Sequence, residues 1–127
     1  MPMFGTCAGM IMLADSVLDA RADQETVGGL DVVVRRNAFG RQVDSFEADL
    51  SVPALGDEPF PAVFIRAPWV ESVGSSIEIL AEITEGTRAG TIVAVRHAGL
   101  LATSFHPELG PDVRFHRMFV EIVQGSR

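Results

Sequence analysis

The chain has 127 residues, 47% of them apolar and 21% charged, an ordinary composition for a single globular domain covering residues 1–127. Its formal net charge of −7, with all ten basic residues arginine and no basic stripe interleaved with aromatics, argues against a nucleic-acid partner. The single cysteine excludes an internal disulfide, the absence of a signal peptide makes the reducing cytoplasm the expected compartment, and the longest apolar run, Met10 to Ala14, is too short to span a bilayer.

The first element predicted is a strand in the apolar run Met1-Pro2-Met3-Phe4, followed by the tight turn Gly5-Thr6-Cys7-Ala8-Gly9. Apolar residues at helical spacing then predict a helix from Ala8 to about Ala20. Strand, glycine-flanked turn and helix form a nucleophile elbow, with cysteine in the serine position of G-x-S-x-G. The glycines are expected because the turn is sharp and a Cβ at either flank would crowd it. The first helical N–H groups and the helix dipole are expected to favour the thiolate. A small buried hydrophobe is the plainer reading of a lone cysteine. Glycines at minus two and plus two weigh for the elbow.

Arg21 to Thr26 is polar and reads as a loop, and Gly28-Gly29 precedes a strand at Leu30 to Val34. Arg35 to Gln42 is turn-like, and Val43 to Leu50 alternates as a half-exposed strand does. Pro53 to Pro61 is a proline-rich loop, and Ala62 to Arg66 a strand stopped by Ala67-Pro68. Strands follow at Ile77–Ile83 and Thr91–Arg96, separated by a turn at Glu85 to Gly90, and another at Gly99–Phe105. Pro111 to Gln124 is an amphipathic helix with Val113, Phe115, Met118, Phe119, Ile122 and Val123 on its apolar positions. The sum is an α/β or α+β fold, with the elbow favouring a mainly parallel core.

A cysteine nucleophile needs a base within hydrogen-bond reach, and the base needs an orienter. His97 and His116 read as surface residues. His106 ends an apolar strand at its carboxyl end, where open α/β sheets place active-site groups. Glu108, two residues on and past Pro107, can hold the imidazole in one tautomer, which gives a Cys7, His106, Glu108 triad. The same three residues could in principle ligate a metal, but a glycine-flanked elbow has no use there, and no zinc spacing is present. Ala8 carries the N–H after the nucleophile, the usual first oxyanion-hole donor.

The Gly5–Gly9 turn with Ser104-Phe105-His106-Pro107-Glu108 resembles a class I, triad-type glutamine amidotransferase. Arg36-Asn37-Ala38-Phe39-Gly40-Arg41-Gln42-Val43-Asp44-Ser45-Phe46 and Phe64-Ile65-Arg66-Ala67-Pro68 narrow the resemblance to the glutaminase subunits of pyridoxal 5′-phosphate synthase, over essentially the whole chain. The resemblance implies a three-layer α/β/α, flavodoxin-like domain, present here as its C-terminal two-thirds. It implies hydrolysis of L-glutamine without a cofactor, and ammonia passing through a tunnel to the partner synthase subunit for vitamin B6 synthesis. Cys7 would form a glutamyl thioester, His106 would move the protons, and Glu108 would orient it. Positions matching Arg36, Ile65 and Arg66 contact glutamine in this family, and an arginine suits the α-carboxylate. On the residues alone, Arg36 and Arg66 could equally be structural ion-pair partners.

The resemblance further implies βα units and a Gly-Gly loop ahead of the elbow, the loop supplying a second oxyanion donor. Loss of one such donor typically costs about 100- to 1000-fold in rate, so weak or absent activity is expected of a chain that starts at Met1. The alternatives are an inactive remnant keeping a synthase-binding surface, or a glutaminase domain serving another acceptor pathway.

Overall fold

The computed structural model describes residues 2–18, 27–36, 45–84 and 89–125. Strand β1 (Met3–Thr6) leads into Cys7, and helix α1 (Ala8–Leu13) leaves it. The helix predicted to about Ala20 therefore ends early: Ala14 is extended, with φ −67° and ψ 141°, and opens strand β2 (Ala14–Leu18). The cause is tertiary. The Met12 carbonyl accepts the N–H groups of Val27 and Gly28 at 2.8 and 3.1 Å, which cap the helix from a distant part of the chain. Asp15 and Ser16 are weak helix formers, and the Asp15 carboxylate instead takes the Gly29 N–H at 2.8 Å. Residues 19–26, including the predicted loop from Arg21, lie outside the described residues.

Strand β3 (Leu30–Arg35) follows Gly28-Gly29 as expected. Most of the arginine-rich segment, Asn37 to Asp44, lies outside the described residues. Strands β4 (Ser45–Leu50) and β5 (Phe60–Ile65) pair antiparallel as a separate two-stranded sheet, joined across the proline-rich loop with its 3₁₀ turn at Pro53–Leu55. Strand β6 (Trp69–Val73) is absent from the sequence-based expectation, because Pro68 and the exposed Glu71 and Ser72 mask its short apolar pattern. Strands β7 (Glu78–Glu82), β8 (Ile92–His97) and β9 (Leu100–Thr103) match expectation. Residues 85–88 of the turn before β8 are outside the described set. Helix α2 (Arg114–Gly125) begins after Asp112, whose carboxylate accepts the Arg114 N–H at 3.0 Å.

Seven described strands form one sheet in the order β1-β9-β8-β6-β3-β2, with β7 added on β8. Only β1 with β9 and β2 with β3 run parallel; the other pairings are antiparallel. The mainly parallel core inferred from the elbow is thus corrected. The tight link Ala98-Gly99 between β8 and β9 is the kind that antiparallel neighbours permit and parallel ones do not.

Alternation along β9 separates the two faces. Leu101 packs with Phe115 and Met118 of α2, while Ala102 packs with Met10, Ile11 and Leu13 of α1. Helices cover opposite faces of the sheet, which is the α/β/α layering expected. On the α2 side Phe60, Phe64, Phe105 and Phe115 interlock, with ring centroids 4.8 to 5.7 Å apart. Each such contact adds about 0.5–1.5 kcal/mol beyond area burial. This cluster ends at Phe105, one residue before His106.

Candidate active site

Cys7 stands at the junction of β1 and α1 with φ 51° and ψ −105°, one of three described non-glycine residues with positive φ. That conformation costs about 1–3 kcal/mol and persists only where its surroundings impose it. Here they do: the Cys7 N–H donates to the Thr103 carbonyl at 2.8 Å, and the Cys7 carbonyl accepts Met10 N–H at 3.0 Å. Gly5 is required by close approach, since a Cβ there would lie 2.5 Å from the Gly9 carbonyl oxygen and 2.9 Å from Leu13 Cδ1. A Cβ on Gly9 would meet nothing within 4 Å. Crowding therefore holds at one flank of the turn and not at the other.

Strands β1 and β9 are parallel neighbours, with Thr6 opposite Thr103. Their carboxyl ends project Cys7 and His106 from the same edge of the sheet. The His106 N–H donates to the Val63 carbonyl at 2.9 Å, anchoring that end to β5. His106 Nδ1 lies 2.7 Å from Glu108 Oε2 across the 3₁₀ turn Pro107–Leu109. An ionised carboxylate only accepts, so this contact assigns the proton to Nδ1 and leaves Nε2 free to take one. Burial opposes ionisation of Glu108. Its own N–H, the hydrogen bond from His106 and the charges of His106 and His116 outweigh burial and hold the carboxyl below its usual value.

The cysteine behaves differently from expectation. Burial pushes its thiol up, the Ala8 N–H pulls it down, and the Glu108 carboxylate adds to the rise, so the thiol sits above its ordinary value. A six-residue helix contributes too little to reverse this. Cys7 Sγ donates to the Ile65 carbonyl at 3.6 Å. The contact with the Ile65 carbonyl and the burial of the sulfur both favour the protonated thiol.

Ile65 ends β5, and its carbonyl is the atom that meets the sulfur. Arg66 follows with φ 45°, a left-handed kink at the exposed lip of the site. The structure brings the Cys7 thiol against the Ile65 carbonyl and the Ala8 N–H, with the His106–Glu108 pair beyond the neighbouring strand and the Glu108 charge acting on the thiol. Arg36 follows β3, four places from β1 in the sheet order, and is half-buried with its N–H on the Leu18 carbonyl at 3.2 Å. His97 lies outside the cluster, and His116 touches it through the effect of its charge on Glu108. The first contacts the Ser76 carbonyl at 3.2 Å, and the second sits edge-on to Phe4 at 5.7 Å. Sequence reasoning missed the main-chain groups of Thr103, Val63 and Ile65, for which residue types carry no signal. Among the described residues no three histidine, cysteine or carboxylate groups stand together as a metal site, and no helix is long and apolar enough to cross a membrane.

A sequence profile of the SNO glutamine amidotransferase family matches residues 1–125. The chain is 64% identical over 127 residues to the pyridoxal 5′-phosphate synthase subunit PdxT of Nocardioides sp., covering 100% of this chain and 63% of that protein. It is 60% identical to the same-named subunit of Streptomyces avermitilis, covering 100% and 61%. A solved structure described as a crystal structure of glutamine amidotransferase superposes with a TM-score of 0.83 at 48% identity, covering 94% of this chain and 59% of that one. The chain spans 61% to 63% of the length of these curated relatives.

Proposed function

We propose that this chain, which belongs to the SNO glutamine amidotransferase family, hydrolyses L-glutamine to L-glutamate and ammonia and passes the ammonia to a pyridoxal 5′-phosphate synthase subunit. The observation that carries the reading is a strained Cys7 at the end of β1, beside a His106–Glu108 pair at the end of the parallel neighbour β9. The name that its relatives carry supplies the pathway.

In this reading His106 Nε2 takes the Cys7 proton as Sγ attacks the side-chain amide carbon of glutamine. The carbonyl oxygen gains the electron pair, and the Ala8 N–H stabilises the resulting charge. The C–N bond breaks, the imidazolium gives its proton to the nitrogen, and ammonia leaves a γ-glutamyl thioester on Cys7. His106 then deprotonates a water that attacks the thioester. Glutamate departs, and the proton returns to sulfur. Glu108 keeps the proton on Nδ1 throughout and stabilises the imidazolium. The raised thiol pKa suits this order of events, because the sulfur then becomes nucleophilic as His106 takes its proton during attack on an electrophile. Ile65 and Arg66 flank the thiol and are assigned to glutamine, Arg66 to its α-carboxylate. Arg36 is assigned to the same substrate from the end of β3. The cytoplasm is the compartment that keeps such a thiol reduced.

Two measurements test the reading. Ammonia release from L-glutamine with the synthase subunit present is expected for the wild type and is expected to be lost in Cys7→Ala. A glutamine-analogue electrophile is expected to add one mass label, on the sole cysteine. A folded chain that takes no label beside the synthase subunit overturns the assignment.

A further inference from the structure

Thr103 ends β9, and its side chain is fully buried, one of two buried polar side chains among the described residues. The other, Ser104, turns its hydroxyl to Met10 Sδ at 3.5 Å. Thr103 makes two bonds of a different kind. Its carbonyl accepts the Cys7 N–H at 2.8 Å, and its Oγ1 donates to the Phe105 carbonyl at 2.9 Å. That carbonyl belongs to the peptide joining Phe105 to His106, and the N–H of the same peptide donates to Val63 at 2.9 Å. Both ends of the peptide that launches His106 are therefore held, one of them by Thr103.

We infer that Thr103 is a positioning residue that sets the nucleophile and the base in one frame, its carbonyl fixing the elbow and its hydroxyl fixing the plane from which His106 projects. This rests on the reading of Cys7 as nucleophile and His106 as base. Strand packing alone does not call for the hydroxyl. Valine has the same shape and at least equal strand preference, and a buried hydroxyl must be matched by a partner. A local side-chain bond to the main chain is common at strand ends. Here it falls on the one peptide whose rotation would swing the imidazole about its Cα. The bond constrains direction more than it adds strength.

The substitution Thr103→Val removes the hydroxyl and leaves the carbonyl bond to Cys7 untouched; Thr103→Ser keeps the hydroxyl. With the synthase subunit present, Thr103→Val is expected to lower kcat for glutamine hydrolysis about 10- to 100-fold. KM is expected to stay within about threefold, and Thr103→Ser to recover kcat to within about threefold of wild type. Alkylation of Cys7 by iodoacetamide across pH gives a second reading that needs no turnover. Thr103→Val is expected to lose the His106-dependent reactivity near neutral pH, as His106→Gln does, and Thr103→Ser to retain it. If the wild type releases no ammonia while the alkylation profiles differ in this way, the glutaminase reading fails and the positioning role stands. A wild-type alkylation profile in Thr103→Val overturns the inference, as does a Thr103→Ser variant as impaired as Thr103→Val. If Thr103→Val and Thr103→Ala both fail to fold while Thr103→Ser folds, the hydroxyl serves stability and the inference is likewise overturned.

Discussion

Replacing Gly5 by alanine should damage both the fold and the thiol, whereas the same change at Gly9 should not. A Cβ on Gly5 would stand 2.5 Å from the Gly9 carbonyl oxygen and 2.6 Å from its carbon, both main-chain atoms that cannot rotate away. Ordinary contact begins at 3.4 Å, so α1 and β1 must separate by about 0.9 Å. Overpacking of this kind costs about 1–3 kcal/mol, which for a domain of this size is a fall in Tm of roughly 4–12 °C. Cys7 sits between the two glycines and moves with α1, and a 1 Å misplacement of a reacting group costs about 100-fold in rate. At Gly9 a Cβ meets nothing within 4 Å, and alanine in a helical position is better than glycine by about 0.5–1 kcal/mol. Thermal unfolding and iodoacetamide labelling of Cys7, run side by side on both variants, measure the two effects. A Gly5→Ala protein that melts and labels as the wild type does would refute the close-approach argument. A Gly9→Ala protein that loses several degrees would refute its counterpart.

Glu108→Gln is expected to lower glutamine turnover about 10²- to 10³-fold, less than at a fully buried triad carboxylate because the Glu108 side chain is 46% exposed. The same change removes a negative charge that disfavours the thiolate, so the alkylation midpoint of Cys7 should move to lower pH while turnover falls; a midpoint moving upward contradicts the assignment. The Arg114 hydrogen bond holds the Asp112 carboxyl below its usual value. A depressed folded-state pKa stabilises above the unfolded value, near 3.9, and the benefit disappears as pH falls through the folded value. Asp112→Asn should therefore flatten the acid limb of Tm against pH, with no change in that limb as the contrary result. Phe105→Ala opens a cavity among Phe60, Phe64 and Phe115 and should cost about 3–5 kcal/mol by urea unfolding.

The features legible in the sequence are those whose determinants lie close together in it. Gly5 to Gly9 fits in five positions, and His106 and Glu108 are two apart, so the strained turn and the imidazole–carboxylate contact are both readable from the residues alone. The end of α1 is not, because its cap is supplied by Val27 and Gly28 and no stop signal follows Leu13. Strand β6 is hidden for a related reason: it gains its order from β3 and β8, with an exposed face that blurs its pattern. Burial pushes the Cys7 thiol up where a helix-dipole argument expects it down, because the dipole argument is local and burial is not. Ile65 is named by resemblance, yet its contribution is a carbonyl, which any residue would carry.

The pairing of β1 with β9 joins Met3 to Leu100, about 97 residues apart in the chain. Contacts of such sequence separation carry the largest loop-closure cost and tend to form late in folding. His106 and Glu108, by contrast, meet within a single turn and can find each other in a chain that is otherwise open. Bringing Cys7 to that pair is therefore the entropically costlier step, because it needs β1 to pair with β9. In a chain whose β1–β9 pairing has not formed, Cys7 stands away from His106, so base-assisted attack by the sulfur depends on that long-range pairing.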